Sequence, residues 1–164
     1  MNLLTQASLS PDQWAALRDA PHLVALAVSA SSGSPVDSLF ERAAGKAAIA
    51  NGINNDHPLV RAIAGRAEIE TATKAVHSLV LEAHGTHRRA ADLLTLAVEA
   101  TRRTADILRA QGGDLDRYAY RDFLLGVARK VAEAAREGDV MGIGGRLVSD
   151  AERAAINAIA NEFA

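Results

Sequence analysis

There is no cysteine in this chain of 164 residues. Disulfides, iron–sulfur clusters, thiolate zinc sites and cysteine nucleophiles are therefore excluded, and nothing demands an oxidising compartment. Aromatic residues are scarce, at 4%. Sheets favour aromatic and β-branched side chains, so a core left largely to Ala, Leu, Val and Ile suits close-packed helices. Charge of one sign is lacking as well. A net charge of −2 gives no whole-protein field that would draw the chain to nucleic acid or anionic lipid. Long hydrophobic runs are missing: the longest, "LVALAVSA" from Leu23, falls far short of the roughly 20 residues that span a bilayer. The stretch "MNLLTQASLSPDQ" has neither the basic region nor the apolar core of a signal peptide. The expectation is a cytoplasmic protein, with neither nucleic acid nor membrane as partner.

Enzyme signatures are also absent. No glutamate is followed by histidine three positions on, which removes the Glu-x-x-His pattern of di-iron bundles. HExxH, Walker A and GxSxG do not occur. No catalytic residue, cofactor or metal ligand is assigned on this basis.

What is present is helical punctuation. The length suits a single domain over residues 1–164, and a chain of this size buries roughly 70% of its unfolded surface. Ser10-Pro11 reads as N-cap and first helical residue. Pro21 is expected to end or kink that first helix, with a second helix over about 22–31. Ser34-Pro35 starts another, and "NGINNDHP" is a polar loop whose Asp56 or His57 caps the next. Helical periodicity then runs from Pro58 to His84, weakened at Gly65. Gly85-Thr86 reads as a tight turn into a partner helix over about 87–110. A helix over about 116–137 and a final one opened by the capping box "SDAE" complete the chain. The fold class is all-α: a bundle of six or seven helices, with a long antiparallel pair and a C-terminal helical hairpin.

Three polar clusters invite functional readings. His77, His84 and His87 come nearest to a ligand set, but His77 and His84 sit about 10 Å apart by helical rise. The arginine pairs Arg88-Arg89 and Arg102-Arg103 share a face, yet acids interleave: Arg88 with Asp92, Glu99 with Arg103, Arg102 with Asp106. That pattern predicts a solvated, charge-compensated surface. Tyr118 and Tyr120 point to different sides of one helix, so they form no stacking platform. They are expected to pack in the core with their hydroxyls at the surface.

The segment "EGDVMGIGGRLVSDAE" is the least ordinary. As a calcium loop it fails, because Met141, Ile143 and Gly145 would occupy ligand positions and none has a side-chain oxygen. Anion binding is open to it: glycine N–H groups, Arg146 and the start of the last helix at Ser149 converge there. So is a structural role, with Gly138 ending one helix and Ile143 and Val148 dipping into the core.

The run "AAREGDVMGIGGRLVSDAERAAINAIANEF" resembles the helix–loop–helix hairpin of the tellurite-resistance TerB-like superfamily, through Val148, Ser149, Glu152, Ile156 and Ile159. The loop is longer here, and that family's acidic cluster is not evident. The resemblance implies an all-α bacterial protein of stress-response and interaction networks, with metal association suggested for the family. The leading expectation is a non-enzymatic helical domain acting through protein–protein contact, self-association included. The alternative is a small-molecule or anion-binding, stress-related protein using Gly142, Gly144, Gly145, Arg146 and Ser149 as ligand-binding residues.

Overall fold

The computed structural model describes residues 3–31, 37–84, 89–137 and 148–164. Among them lie seven α-helices: α1 (Pro11–Ser31), α2 (Asp37–Asn51), α3 (Pro58–Ile63), α4 (Arg66–His84), α5 (Ala90–Gln111), α6 (Asp114–Glu137) and α7 (Asp150–Asn161). Short 3-10 turns cover Gln6–Ser8 and Gly52–Asn54, and no described residue is in a strand. The all-α bundle expected from the sequence is what forms. No helix among the described residues is long and apolar enough to cross a membrane.

α1 is the axis. Trp14, Leu17, Ala20, Leu23, Val24, Ala27 and Val28 are all buried, so apolar residues occupy more than one face. A helix apolar on several sides must be covered on several sides. Here α5, α2, α6, α4 and α7 all pack on it.

Pro21 does not end this helix. It is buried inside α1, which continues for ten residues beyond it. A mid-helix proline lacks the N–H that would bond the carbonyl four residues back, here Leu17. That carbonyl instead accepts from the Tyr120 hydroxyl, at 2.8 Å. The hydroxyl is therefore in the core and not at the surface, and Tyr120 is fully buried. Burial is the largest cause raising its phenol pKa far above the ordinary value. The phenol stays protonated and remains a donor.

The run from Pro58 to His84 divides in two. Gly65 lies between α3 and α4, and its N–H reaches the Ala62 carbonyl, a tighter i→i−3 bond. Glycine's weak hold on the helix makes this the natural break. The expected packing of 58–84 against 87–110 is also replaced. α4 and α5 each pack on α1 rather than chiefly on one another, and the turn at 85–88 lies outside the described residues.

A long antiparallel pair is present, but it consists of α2 and α6. A Cβ on Gly45 would lie 2.9 Å from Ala25 Cβ and 3.2 Å from Val131 Cγ2; one on Gly52 would lie 2.8 Å from the Phe123 ring. As the chain advances from Gly45 in α2 to Gly52 in the 3-10 turn that follows it, its neighbours on α6 retreat from 131 to 123. Glycine at these positions lets α1, α2 and α6 close on one another.

Two polar devices hold the ends. Asp116, buried in the first turn of α6, accepts from Gly113 N at 2.8 Å and from Leu4 N at 3.0 Å. His57, the N-cap residue of α3, places Nε2 3.3 Å from Asp116 Oδ1. The second device is the capping box of α7, formed as expected. Glu152 N donates to Ser149 Oγ at 3.2 Å, and Ser149 N donates to Glu152 Oε2 at 2.8 Å.

Candidate functional site

The residues singled out in the sequence fall mostly outside the pockets of the bundle. Gly142, Gly144, Gly145 and Arg146 lie outside the described residues, as do Gly138, Met141 and Ile143. Ser149 is described, and its side chain is occupied by the capping box. Of the residues that carry the TerB-like resemblance, Val148, Ile156 and Ile159 pack on the core, and Glu152 completes the cap. His87 and the His84 side chain are outside the described set. Among the described residues no three His, Cys, Asp or Glu side chains could share a metal ion.

The hydrogen-bonded partners of the arginine face are not the i,i+4 acids, although Asp106 still favours the charge of Arg102. Arg102 reaches Glu162 beyond α7, at 2.8 Å. Arg89 pairs with Asp92 and Arg109 with Asp106; Arg88 lies outside the described residues. Tyr118 is half-exposed under the Arg117 guanidinium, apart from buried Tyr120.

A pocket of about 470 Å³ opens between α1, α2 and α4. Each helix turns one face to it at helical spacing. α1 contributes His22, Ala25 and Leu26. α2 contributes Arg42, Ala43, Lys46 and Ile49. α4 contributes Thr73, Val76, His77 and Val80. Ile49, Val76 and Val80 are buried and make the floor, beside partly buried Ala25 and Leu26. Arg42, Lys46 and His77 are exposed at the mouth. Thr73 donates its hydroxyl to the Ile69 carbonyl, which leaves its oxygen able only to accept.

The electrostatics of this pocket are one-sided. No described carboxylate lines it, and none pairs with Arg42 or Lys46. Those two cations stand at i and i+4 on one face of α2, a like-charge spacing that mildly destabilises a helix. His22 sits deeper. Burial, then the charges of Lys46 and Arg18, bring its pKa from the ordinary 6.5 down to about 4. At neutral pH its ring is neutral, with one nitrogen donating and the other accepting. Two fixed cations therefore stand over an apolar floor in a chain whose net charge is negative. That suits an anion carrying an apolar body.

A second depression, about 650 Å³, runs along the outer side of α2 and α6. Its walls are small residues, among them Ala44, Ala47, Ala48, Gly126 and Ala134, and its only described charges are Lys130 and Glu133, 2.8 Å apart. Gly126 differs from Gly45 and Gly52: a Cβ added there meets nothing within 4 Å.

Of the pocket residues the sequence marks only His77, in a candidate ligand set with His84 and His87. Arg42 and Lys46 are visible as a cation pair at i,i+4, and His22 as a polar residue in an apolar helix. Only the packing of three helices brings them together. Comparison of the chain with family models, with curated proteins and with solved structures finds no match.

Proposed function

We propose that the chain is a binding protein for a small anionic ligand with an apolar body, held in the pocket between α1, α2 and α4. The observation that carries this is the pairing of Arg42 and Lys46, without a described carboxylate, over the floor of Ile49, Val76 and Val80. Its size lies within the range of small-molecule sites, and its plan is theirs: mostly apolar walls with a few placed polar groups. An arenesulfonate dye tests it, since such a dye joins a fixed anion to an apolar body. Its fluorescence should saturate at one dye per chain. The paired variant Arg42→Glu, Lys46→Glu should abolish saturation, while Arg109→Glu, on exposed α5 surface, should not. Equal binding by all three proteins would sink the reading.

A second reading, contact with another copy of this chain, has Gly126 as its support. Mid-helix glycine is destabilising by about 1 kcal/mol against alanine, and no neighbour within the fold demands it. A missing side chain on an outer groove lets another helix approach closely. Sedimentation equilibrium of Gly126→Leu checks this: the wild type should associate and the variant should not.

A further inference from the structure

We propose that the ligand of the α1–α2–α4 pocket is an aliphatic monocarboxylate of medium chain length, its carboxylate between Arg42 and Lys46 and its chain along Leu26, Ile49, Val76 and Val80. This inference rests on the pocket reading above and narrows it to one chemical class.

Three features of the lining make the choice. First, no Phe, Tyr or Trp side chain faces the pocket among the described residues. A nucleobase or other large flat ring would find only imidazoles and a guanidinium to stack on, without the large aromatic faces that supply much of the affinity for such ligands. Second, polar partners are few. Besides the cations there are two imidazoles, His22 and His77, and a threonine oxygen that can only accept. A sugar or other polyol would leave hydroxyls unpaired against Val76 and Val80, and unpaired buried polar groups are unfavourable. Third, the floor is long and plain. Arg42 to Ile49 on α2 and Thr73 to Val80 on α4 each span about 10 Å by helical rise. An extended hydrocarbon chain fills such a slot with methylene contacts and asks nothing of it in hydrogen bonds.

The head fits its partners by charge count and by geometry. A carboxylate takes a guanidinium in two parallel hydrogen bonds, and an ammonium adds a point charge beside it. Because His22 is neutral, it can donate one further hydrogen bond without adding a third charge. A compact dianion such as phosphate would satisfy the cations but would leave the floor unfilled.

Calorimetric titration of the full chain with hexanoate, octanoate, decanoate, decanol and inorganic phosphate decides the matter. Affinity should climb along the carboxylate series by up to about fourfold per methylene, the gain expected for apolar burial. Decanol should bind at least tenfold more weakly than decanoate. Arg42→Gln with Lys46→Gln should bring decanoate down to the level of decanol. Leu26→Gln should flatten the chain-length series while leaving the helical circular dichroism unchanged. Dye binding that depends on Arg42 and Lys46, with no chain-length trend among the carboxylates, would overturn the ligand class and leave the pocket standing. Phosphate binding as tightly as decanoate would do the same. Failure of dye and carboxylates alike would overturn both.

Discussion

Tyr120 Oη donates to the Leu17 carbonyl oxygen at 2.8 Å, in the place where the Pro21 backbone has no hydrogen to give. The proline leaves a carbonyl without its helical donor, and the buried phenol supplies one.

Tyr120→Phe removes the donor and keeps the ring. The Leu17 carbonyl is then buried without a partner, which should destabilise the fold by roughly 1–3 kcal/mol. Pro21→Ala restores the helical N–H. In that background Tyr120→Phe should lose much of its effect, giving a coupling of about 1 kcal/mol or more. Urea melts of the wild type, both single variants and the double variant measure it. Additive effects would show that the proline and the phenol are unrelated.

Acid stability should depend on His22. Its folded pKa is about 4, against the ordinary 6.5. Between those values the unfolded chain binds a proton that the folded chain refuses, so stability rises with pH. The contribution is fully present above pH 6.5 and is lost as pH falls towards 4, on the order of 3 kcal/mol in all. His22→Gln should flatten the stability profile across that window. Asp19 acts with the opposite slope, because burial raises its pKa and the folded state holds its proton longer. It is common to both proteins and cancels in the difference.

Ser149→Ala should destabilise the fold by about 1 kcal/mol, through loss of the acceptor for Glu152 N. Glu152→Ala removes the return bond to Ser149 N. The two changes should be sub-additive, because either one opens the same box. α7 has only 12 residues and is too short to stand alone. Its far-ultraviolet signal should therefore melt with the whole protein and not before it.

The glycines of the α2–α6 pair should respond in opposite directions. Gly126→Ala gains helix propensity with no steric consequence and should stabilise by about 1 kcal/mol. Gly52→Ala drives a methyl to 2.8 Å from the Phe123 ring and 2.9 Å from Ala64 Cβ. It should destabilise by roughly 1–3 kcal/mol. Thermal melts of the two variants give the signs directly.

The elements legible in the sequence are those whose chemistry is local. The His57-Pro58 start of α3 and the Ser149–Glu152 box lie within a few residues of the backbone they serve. Pro21 misleads because its remedy lies far away: Tyr120 and Leu17 are 103 positions apart. Arg102 misleads for the same reason. Its hydrogen-bonded acid is Glu162, 60 positions on, while Asp106 at i+4 acts on it by charge alone. The pocket was hidden more deeply. His22 and Lys46 each read as an ordinary polar residue on its own helix, His77 groups in the sequence with His84 and His87, and only the packing of α1 against α2 and α4 gives the three a common space.

The position of α1 at the axis has a consequence for synthesis. Its apolar sides are finished by the time Ser31 is made, but α5, one of its main partners, is complete only at Gln111. Those 80 residues take roughly 4–16 s to translate at ordinary elongation rates. Throughout that interval the nascent chain carries Leu17, Leu23, Val24 and Val28 with their final cover not yet made. α1 thus keeps an unfinished apolar side for as long as α5 is still being made.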